Sequence, residues 1–175
     1  MKPLIVLAAA LSLAGCSAKP VSPDYFGSAE RVQAALANPD IPVLIGEFGT
    51  LRPNSAGGVD VKIEFKNTSE KPIKYLEFWL SPYNNVGDKV HDRIGRDSTA
   101  IIRYTGPLGV GKTNTFVAPL NKPSSNTIWR NTWYNHTIKC ATIDKIAIEY
   151  MDNSTQTISD TALLLTRSGY CRRYD

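Results

Sequence analysis

Residues 59–66 alternate between apolar and charged side chains, and this alternation limits the possible folds more than any other feature of the chain. The apolar members are Val59, Val61, Ile63 and Phe65, and the charged members are Asp60, Lys62, Glu64 and Lys66. Because successive side chains of a β-strand point to opposite faces of a sheet, this period of two predicts a strand with one face in the core and one in water.

Further runs rich in β-branched and aromatic residues follow, each bounded by Gly, Pro, Asn or Asp. They cover residues 73–83, 99–104, 114–118, 143–151 and 156–166, and the turn sequence Asp152-Asn153-Ser154 joins the last two as a hairpin. About seven strands with no helices between them predict an antiparallel β-sandwich, because parallel strands need long crossover connections. The expected fold class is all-β.

In the run 73–83 we expect the large side chains to lie in the core. These are Tyr75, Phe78, Trp79 and Leu80. Pro82 lacks a main-chain donor, so it restricts this strand to a sheet edge or to the strand's own end.

One short helix is expected before the strands. Ser28 can cap it, and Val32, Ala35 and Leu36 share one of its faces. The helix should end at Asn38-Pro39, because the residue before a proline avoids the helical region.

Several segments resemble a group of small bacterial secreted and lipid-anchored proteins that have an immunoglobulin-like sandwich and no assigned activity. The resemblance runs from about residue 59 to 152 and is carried by VKIEFKNTS (61–69), PIKY (72–75), SPYN (81–84), TWYNHTI (132–138) and KIAIEYMD (145–152). It implies an antiparallel immunoglobulin-like β-sandwich of about seven strands with one short N-terminal helix. It implies no catalytic residues, because these motifs consist of strand and turn residues.

The amino terminus is typical of an export signal. Met1 and Lys2 form a positive start, and residues 4–13 form an apolar run of about ten residues, whereas a membrane-spanning helix needs ~20. Leu13-Ala14-Gly15-Cys16 resembles the lipobox of bacterial lipoproteins. We therefore expect a signal peptide at 1–15, a lipidated tether at 16–25 and a single β-sandwich domain with its N-terminal helix at 26–175.

The resemblance to a lipobox implies that Cys16 carries a diacylglycerol on its thiol and an acyl chain such as palmitate on its amino group. Two or three acyl chains hold a protein firmly on a membrane. Ser17 occupies the position where an aspartate usually retains lipoproteins at the inner membrane, so the resemblance favours the outer membrane in an organism that has one. The alternative is an ordinary secretory signal with a chance cysteine.

Cys140 and Cys171 remain for the exported domain, and we expect them to form a disulfide, as is usual in an oxidising compartment. A metal site would need more ligands nearby. A catalytic thiol would need a histidine, for which His136 is the candidate.

The formal charge is +4 and includes Lys2, which signal cleavage would remove. The remaining Lys and Arg residues are scattered, whereas nucleic-acid binders cluster them, so we expect no nucleic-acid partner and at most a mild affinity for anionic lipid headgroups.

Residues 106–113, GPLGVGKT, match the phosphate-loop pattern of nucleotide-binding proteins. That mechanism requires a helix that starts at Lys112 and Thr113, whereas the following residues favour a strand and Pro119 would break a helix. We therefore interpret the segment as a Gly-rich turn between strands, with Lys112 in solvent, and expect no nucleotide and no other cofactor.

His91 is surrounded in sequence by Asp88, Asp92 and Asp97, which could orient an imidazole or hold a cation. Their spacing fits no zinc or calcium template, so we expect neither a metal site nor catalytic residues there. His136 is interpreted as a packed or surface side chain.

Trp129, Trp133 and Tyr134 form the candidate recognition surface, because aromatic rings on an Asn-, Thr- and Arg-rich segment can stack on sugars or anchor a protein. The alternative is that Trp129 and Trp133 share a face that lies in the core. Two functions remain: a non-catalytic envelope module that binds a protein or glycan, and a small envelope hydrolase or modifying enzyme. The absence of known catalytic motifs favours the first.

Overall fold

The computed structural model describes residues 29–93, 98–114 and 128–164. Its elements are helix α1 (Ala29–Leu36), strands β1 (Val43–Thr50), β2 (Gly58–Asn67), β3 (Ile73–Tyr83), β4 (Ala100–Leu108), β5 (Ile128–Tyr134), β6 (Cys140–Tyr150) and β7 (Thr155–Ile158), and a 3-10 turn (Thr161–Leu164). The all-β fold class predicted from the sequence is confirmed, with one short helix before the strands.

The strands form two antiparallel sheets that pack face to face. One sheet has the order β1-β2-β5 and the other the order β4-β3-β6-β7. Immunoglobulin-like sandwiches likewise place their first, second and fifth strands in one sheet and their third, sixth and seventh in the other. Here β4 extends the second of these sheets, as the extra strands of variable-type domains do.

The core lies between the sheets and is built by alternation along each strand. All four apolar members of the 59–66 pattern are completely buried. Phe65 packs at its centre, with its ring 5.4 Å from that of Phe78 and 5.1 Å from that of Tyr104. The strand predicted from this alternation is confirmed as β2.

On β3 the predicted core is half right. Phe78 and Leu80 are fully buried together with Leu76, but Tyr75 and Trp79 lie half-exposed on the outer face of the sheet. Because successive side chains of a strand point to opposite faces, Tyr75 and Trp79 lie on the face opposite to that of Leu76, Phe78 and Leu80. Pro82 lies at the end of β3, which is a central strand, so the end-position alternative is correct and the edge position is wrong.

Helix α1 ends near the predicted position, and no described helix is long and apolar enough to cross a bilayer. Ala37 N–H donates to Gln33 and Asn38 N–H to Ala35, after which the Asn38 side chain accepts from Asp40 N–H. The cap predicted at Ser28 lies outside the described residues.

The later strands depart from the predicted ranges. The hairpin turn at 151–154 is confirmed, with Asn153 in the left-handed region at φ 63°. β7 is shorter than the predicted run 156–166, because it ends at Ile158 and a 3-10 turn follows. Of the predicted strand 114–118, only Asn114 belongs to the described residues.

Candidate functional site

Trp129 and Trp133 lie on the same face of β5, because side chains four residues apart in a strand point to the same side. β5 also bulges between them: Val59 pairs with Trp133 and Val61 with Trp129, so two residues of β2 span four residues of β5. Asn131, within this bulge, lies in the left-handed region at φ 49°.

Trp133 belongs to the interior, with only 1% of its surface exposed. Its Nε1–H donates to the carbonyl oxygen of Ser98 at 3.1 Å, just before β4 begins. Trp133 therefore supports the site from within, in agreement with the core alternative considered for this residue.

Trp129 is half-buried and forms the accessible part of the tryptophan pair. Its ring meets Phe78 edge-on with centroids 6.3 Å apart, and its Nε1–H donates to the carbonyl oxygen of Arg103 at 3.3 Å. Trp129 thus connects β5 to the edge strand β4 of the other sheet, and Trp133 connects β5 to the residues just before β4.

Between these two indole hydrogen bonds lies a hollow of about 460 Å³, which we call the tryptophan groove. It is lined by Asp92, residues 99–102 and residues 129–133. Small-ligand sites occupy about 300–1,000 Å³, so the groove is large enough to hold a side chain or a small ligand.

Polar contacts fix the β5 wall of the tryptophan groove. Arg130 bonds the Asp60 carboxylate at 2.6 Å, and the same carboxylate accepts from Asn131 N–H at 2.8 Å. The Asn131 side chain accepts from Asn54 at 2.9 Å. A Cβ at Gly58 would lie 2.0 Å from Asn131 Oδ1, so a larger residue there would displace the Asn131 side chain from its bond with Asn54.

Asp92 lines the groove, and it is bonded to Tyr134, which lies just beyond the lining residues. Asp92, 5% exposed, accepts from Tyr134 N–H at 2.9 Å, while Arg93 N–H donates to the Tyr134 carbonyl at 3.1 Å. Asp92 thus orders the end of β5.

Of the carboxylates near His91 in sequence, the two that the structure describes are engaged elsewhere: that of Asp88 accepts from the Asn84 side chain and that of Asp92 from Tyr134 N–H. His91 is exposed, Asp88 lies in an exposed turn with Asn84, and Asp97 is outside the described residues. Within the ranges the structure describes, no three His, Cys, Asp or Glu side chains are grouped so that they could hold a metal ion.

A second aromatic surface, which the sequence patterns did not indicate, covers the outer face of the four-stranded sheet. We call Tyr75, Trp79 and Ile101 the outer aromatic face. Lys145 Nζ lies 3.8 Å from the centroid of the Trp79 ring, and the Arg103 guanidinium lies 5.2 Å from that of Tyr75. Ile101 is 58% exposed. Tyr75 and Trp79 are four residues apart on β3, so the alternation of a strand could have indicated that they share a face different from that of Phe78.

The segment that matches the phosphate-loop pattern is the end of β4 followed by a turn, as expected. Three main-chain donors in and just after this turn are engaged: Gly111 N–H donates to Asn67, Lys112 N–H to Gly109 and Asn114 N–H to Phe65. These three N–H groups are therefore not free to bind a phosphate, and Lys112 is exposed.

The cysteine and histidine candidates are only partly within the described residues. Cys140 is 4% exposed and disulfide-bonded. Cys16 and Cys171 lie outside the described residues, so the pairing with Cys171 and the acylation of Cys16 stay predictions. His136 is exposed, with its Nδ1 3.2 Å from Arg93 Nη1.

Another hollow, of about 450 Å³, lies between the end of α1 and the β6–β7 hairpin. Lys71 Nζ is 2.7 Å from Asp152 at its rim, and this ammonium, together with Ser154, holds the pKa of Asp152 well below its usual range. The Asp152 carboxylate also accepts from Ser154 N–H, so it serves the hairpin turn.

Comparison with protein-family models, curated proteins and solved structures finds no significant match to this chain. Since a sandwich fold hosts many functions, function must be inferred from the site itself.

Proposed function

We propose that this chain is a non-catalytic binding module of the cell envelope, held on its membrane by acyl chains on Cys16 and recognising a partner through the tryptophan groove. The observation that carries the proposal is the pair of indole bonds from Trp129 to Arg103 and from Trp133 to Ser98, which hold the groove open on one side of the sandwich. Half-buried aromatic rings in a fixed pocket are the usual anchors of recognition.

Two further features support binding rather than chemistry. The polar side chains of the wall, Arg130 and Asn131, are already bonded to Asp60 and Asn54 and so define its shape. The outer aromatic face adjoins the groove through Ile101, so a partner could cover both surfaces.

Site-specific photocrosslinking in intact envelopes tests this function. We expect a photoreactive residue at Thr132, on the groove wall, to capture a partner that the same residue at Thr157, exposed on β7, does not. Trp129→Ala should diminish the Thr132 product if thermal unfolding shows an intact fold. Identical products from both positions would contradict the proposal.

The anchor is tested separately. Cys16→Ser should move the protein from the membrane fraction to the soluble fraction, and mass spectrometry of the wild type should find an acylated N-terminal cysteine. An unprocessed, fatty-acid-free amino terminus would contradict this part of the proposal.

A further inference from the structure

The outer edge of β4 offers main-chain hydrogen-bonding groups beside the tryptophan groove. The Arg103 carbonyl receives the Trp129 indole, so it points away from β3. Main-chain groups of an edge strand alternate in direction, and the β3–β4 register is regular from Leu80↔Ala100 to Tyr75↔Thr105. The N–H and C=O groups of Ile101 and Thr105 therefore point the same way as those of Arg103.

Within the part of the chain that the structure describes, these edge groups are open except for the Arg103 carbonyl. No described residue outside the β3–β4 ladder bonds the main chain of Ile101 or Thr105, and at Arg103 the carbonyl receives only the Trp129 indole. Ile101, Arg103 and Thr105 are all exposed. Such an edge is a template for pairing with another extended chain.

Hydrogen-bond geometry selects the kind of occupant. Within one extended residue the N–H and C=O point to the same side, which matches the spacing of these groups on β4. A ligand with isolated hydroxyl or phosphate groups would leave some of these N–H and C=O groups without a hydrogen-bond partner. The ligand that matches the β4 edge is therefore an extended peptide.

Charge disfavours a second copy of this chain. A two-fold antiparallel pairing that used all three exposed residues would be centred on Arg103 and would place this side chain opposite its own symmetry mate. Each Arg103 is paired with Glu77, which offsets part of the repulsion, but like charges directly opposite each other still destabilise a strand pair.

We propose that β4 and the tryptophan groove together bind an extended peptide segment of a partner protein by strand addition, with one apolar side chain of that segment seated against Trp129. The inference rests on the proposed function and names its partner class. Main-chain bonds to Ile101 and to the Arg103 N–H would supply affinity, while the Arg103 carbonyl keeps its bond to Trp129. The groove would supply selectivity, as in other strand-addition complexes.

The full-length mature protein in detergent micelles tests this inference by amide-resolved NMR. The probes are acetylated, amidated pentapeptides of sequence Thr-Val-X-Val-Thr, in which X is Trp, Leu, Gly or Asp. We expect shifts at the amides of Ile101, Arg103 and Thr105, with the Trp and Leu peptides binding about tenfold more tightly than the Gly and Asp peptides.

Ile101→Pro removes one edge donor without touching a bond inside the protein, because this N–H points away from β3. We expect it to weaken binding of the Trp peptide by about tenfold, while Ile101→Thr, which keeps the N–H, stays within about twofold of wild type. If the spectrum of Ile101→Pro shows that the variant is unfolded, a peptide N-methylated at X and at the two flanking valines is tested on the wild type instead. It should bind at least about tenfold more weakly than the unmethylated peptide.

The inference is overturned if no probe shifts the β4 amides up to its solubility limit, or if Ile101→Pro and the N-methylated peptide bind as well as their parents. It is also overturned if sedimentation shows a dimer that Ile101→Pro dissociates, since a second copy would then occupy the edge. If photocrosslinking at Thr132 captures a partner in envelopes but no peptide binds in the NMR experiment, the proposed function stands and only the peptide as its ligand is ruled out.

Discussion

Trp133 and Trp79 are the same residue type in opposite environments. Trp133 is 1% exposed between the sheets, whereas Trp79 lies on the outer face beneath the Lys145 ammonium. We expect Trp133→Ala to lower the free energy of unfolding by about 3–5 kcal/mol, because it leaves a large cavity. The matched control Trp79→Ala should lower it by about 1 kcal/mol in chemical denaturation. Equal losses would contradict this assignment.

Glu64 is a carboxylate on β2 with only 7% of its surface exposed. Burial raises its pKa above the ordinary value of 4.5, and neighbouring Glu47 adds to the rise, while Lys62, 3.5 Å away, opposes it. The native state therefore binds this proton more strongly than the unfolded state, so stability is lost as pH rises through the raised pKa.

Replacing Glu64 by glutamine removes that titration. We expect the melting temperature of Glu64→Gln minus that of the wild type to be larger at about pH 7.5 than at about pH 4.5. Glu70→Gln, at an exposed position, controls for the change in net charge. A difference that shrinks toward neutral pH would show that the Lys62 pairing dominates.

Asn67 joins three elements at one end of the sandwich. It is completely buried, and its Nδ2 donates to the carbonyls of Lys71 and Leu108 at 2.9 and 3.0 Å. Its Oδ1 accepts from Ser69 N–H. The side chain thus holds the β2–β3 turn against the end of β4.

We expect Asn67→Ala to lower the free energy of unfolding by about 2–4 kcal/mol, because two carbonyls would lose their buried donor. Asn84→Ala is the matched control, since Asn84 accepts from Val86 and Asp88 in an exposed turn where water can replace it. Urea denaturation measures both variants. A loss at Asn84 as large as that at Asn67 would argue against burial as the cause.

Both β2 and β3 were predictable as strands, but which side chains face the core was predictable only for β2, which has one wet face. The charged residues of β2 revealed its alternation, whereas β3 carries Tyr75 and Trp79 outside and Phe78 inside, so hydrophobicity could not separate its faces. The tryptophan groove depends on the bulge at Asn131 and on a bond between Trp129 and Arg103, 26 residues apart. Local patterns do not encode such a long-range pairing.

At the scale of the whole molecule, the predicted bridge from Cys140 to Cys171 would close a loop of about thirty residues. We expect Cys171→Ser to lower the free energy of unfolding by about 3 kcal/mol, as reduction of the wild type should. Cys16→Ser, outside this loop, is the control. Non-reducing peptide mapping that found a free thiol at Cys171 would contradict the pairing.

The proposed anchor also limits where the groove can act. Residues 17–28 lie between Cys16 and α1, and a fully extended chain of that length spans at most about 40 Å. A partner segment bound to β4 would therefore have to lie close to the same membrane.

The three tryptophans of the chain sit at three depths: Trp133 in the interior, Trp129 at the groove wall and Trp79 on the outer sheet face. Indole fluorescence shifts to longer wavelength as its surroundings become more polar. Variants that keep one tryptophan each should therefore emit at three different wavelengths. A small ligand confined to the groove should shift the emission of Trp129 most and leave that of Trp79, which lies outside the groove, unchanged.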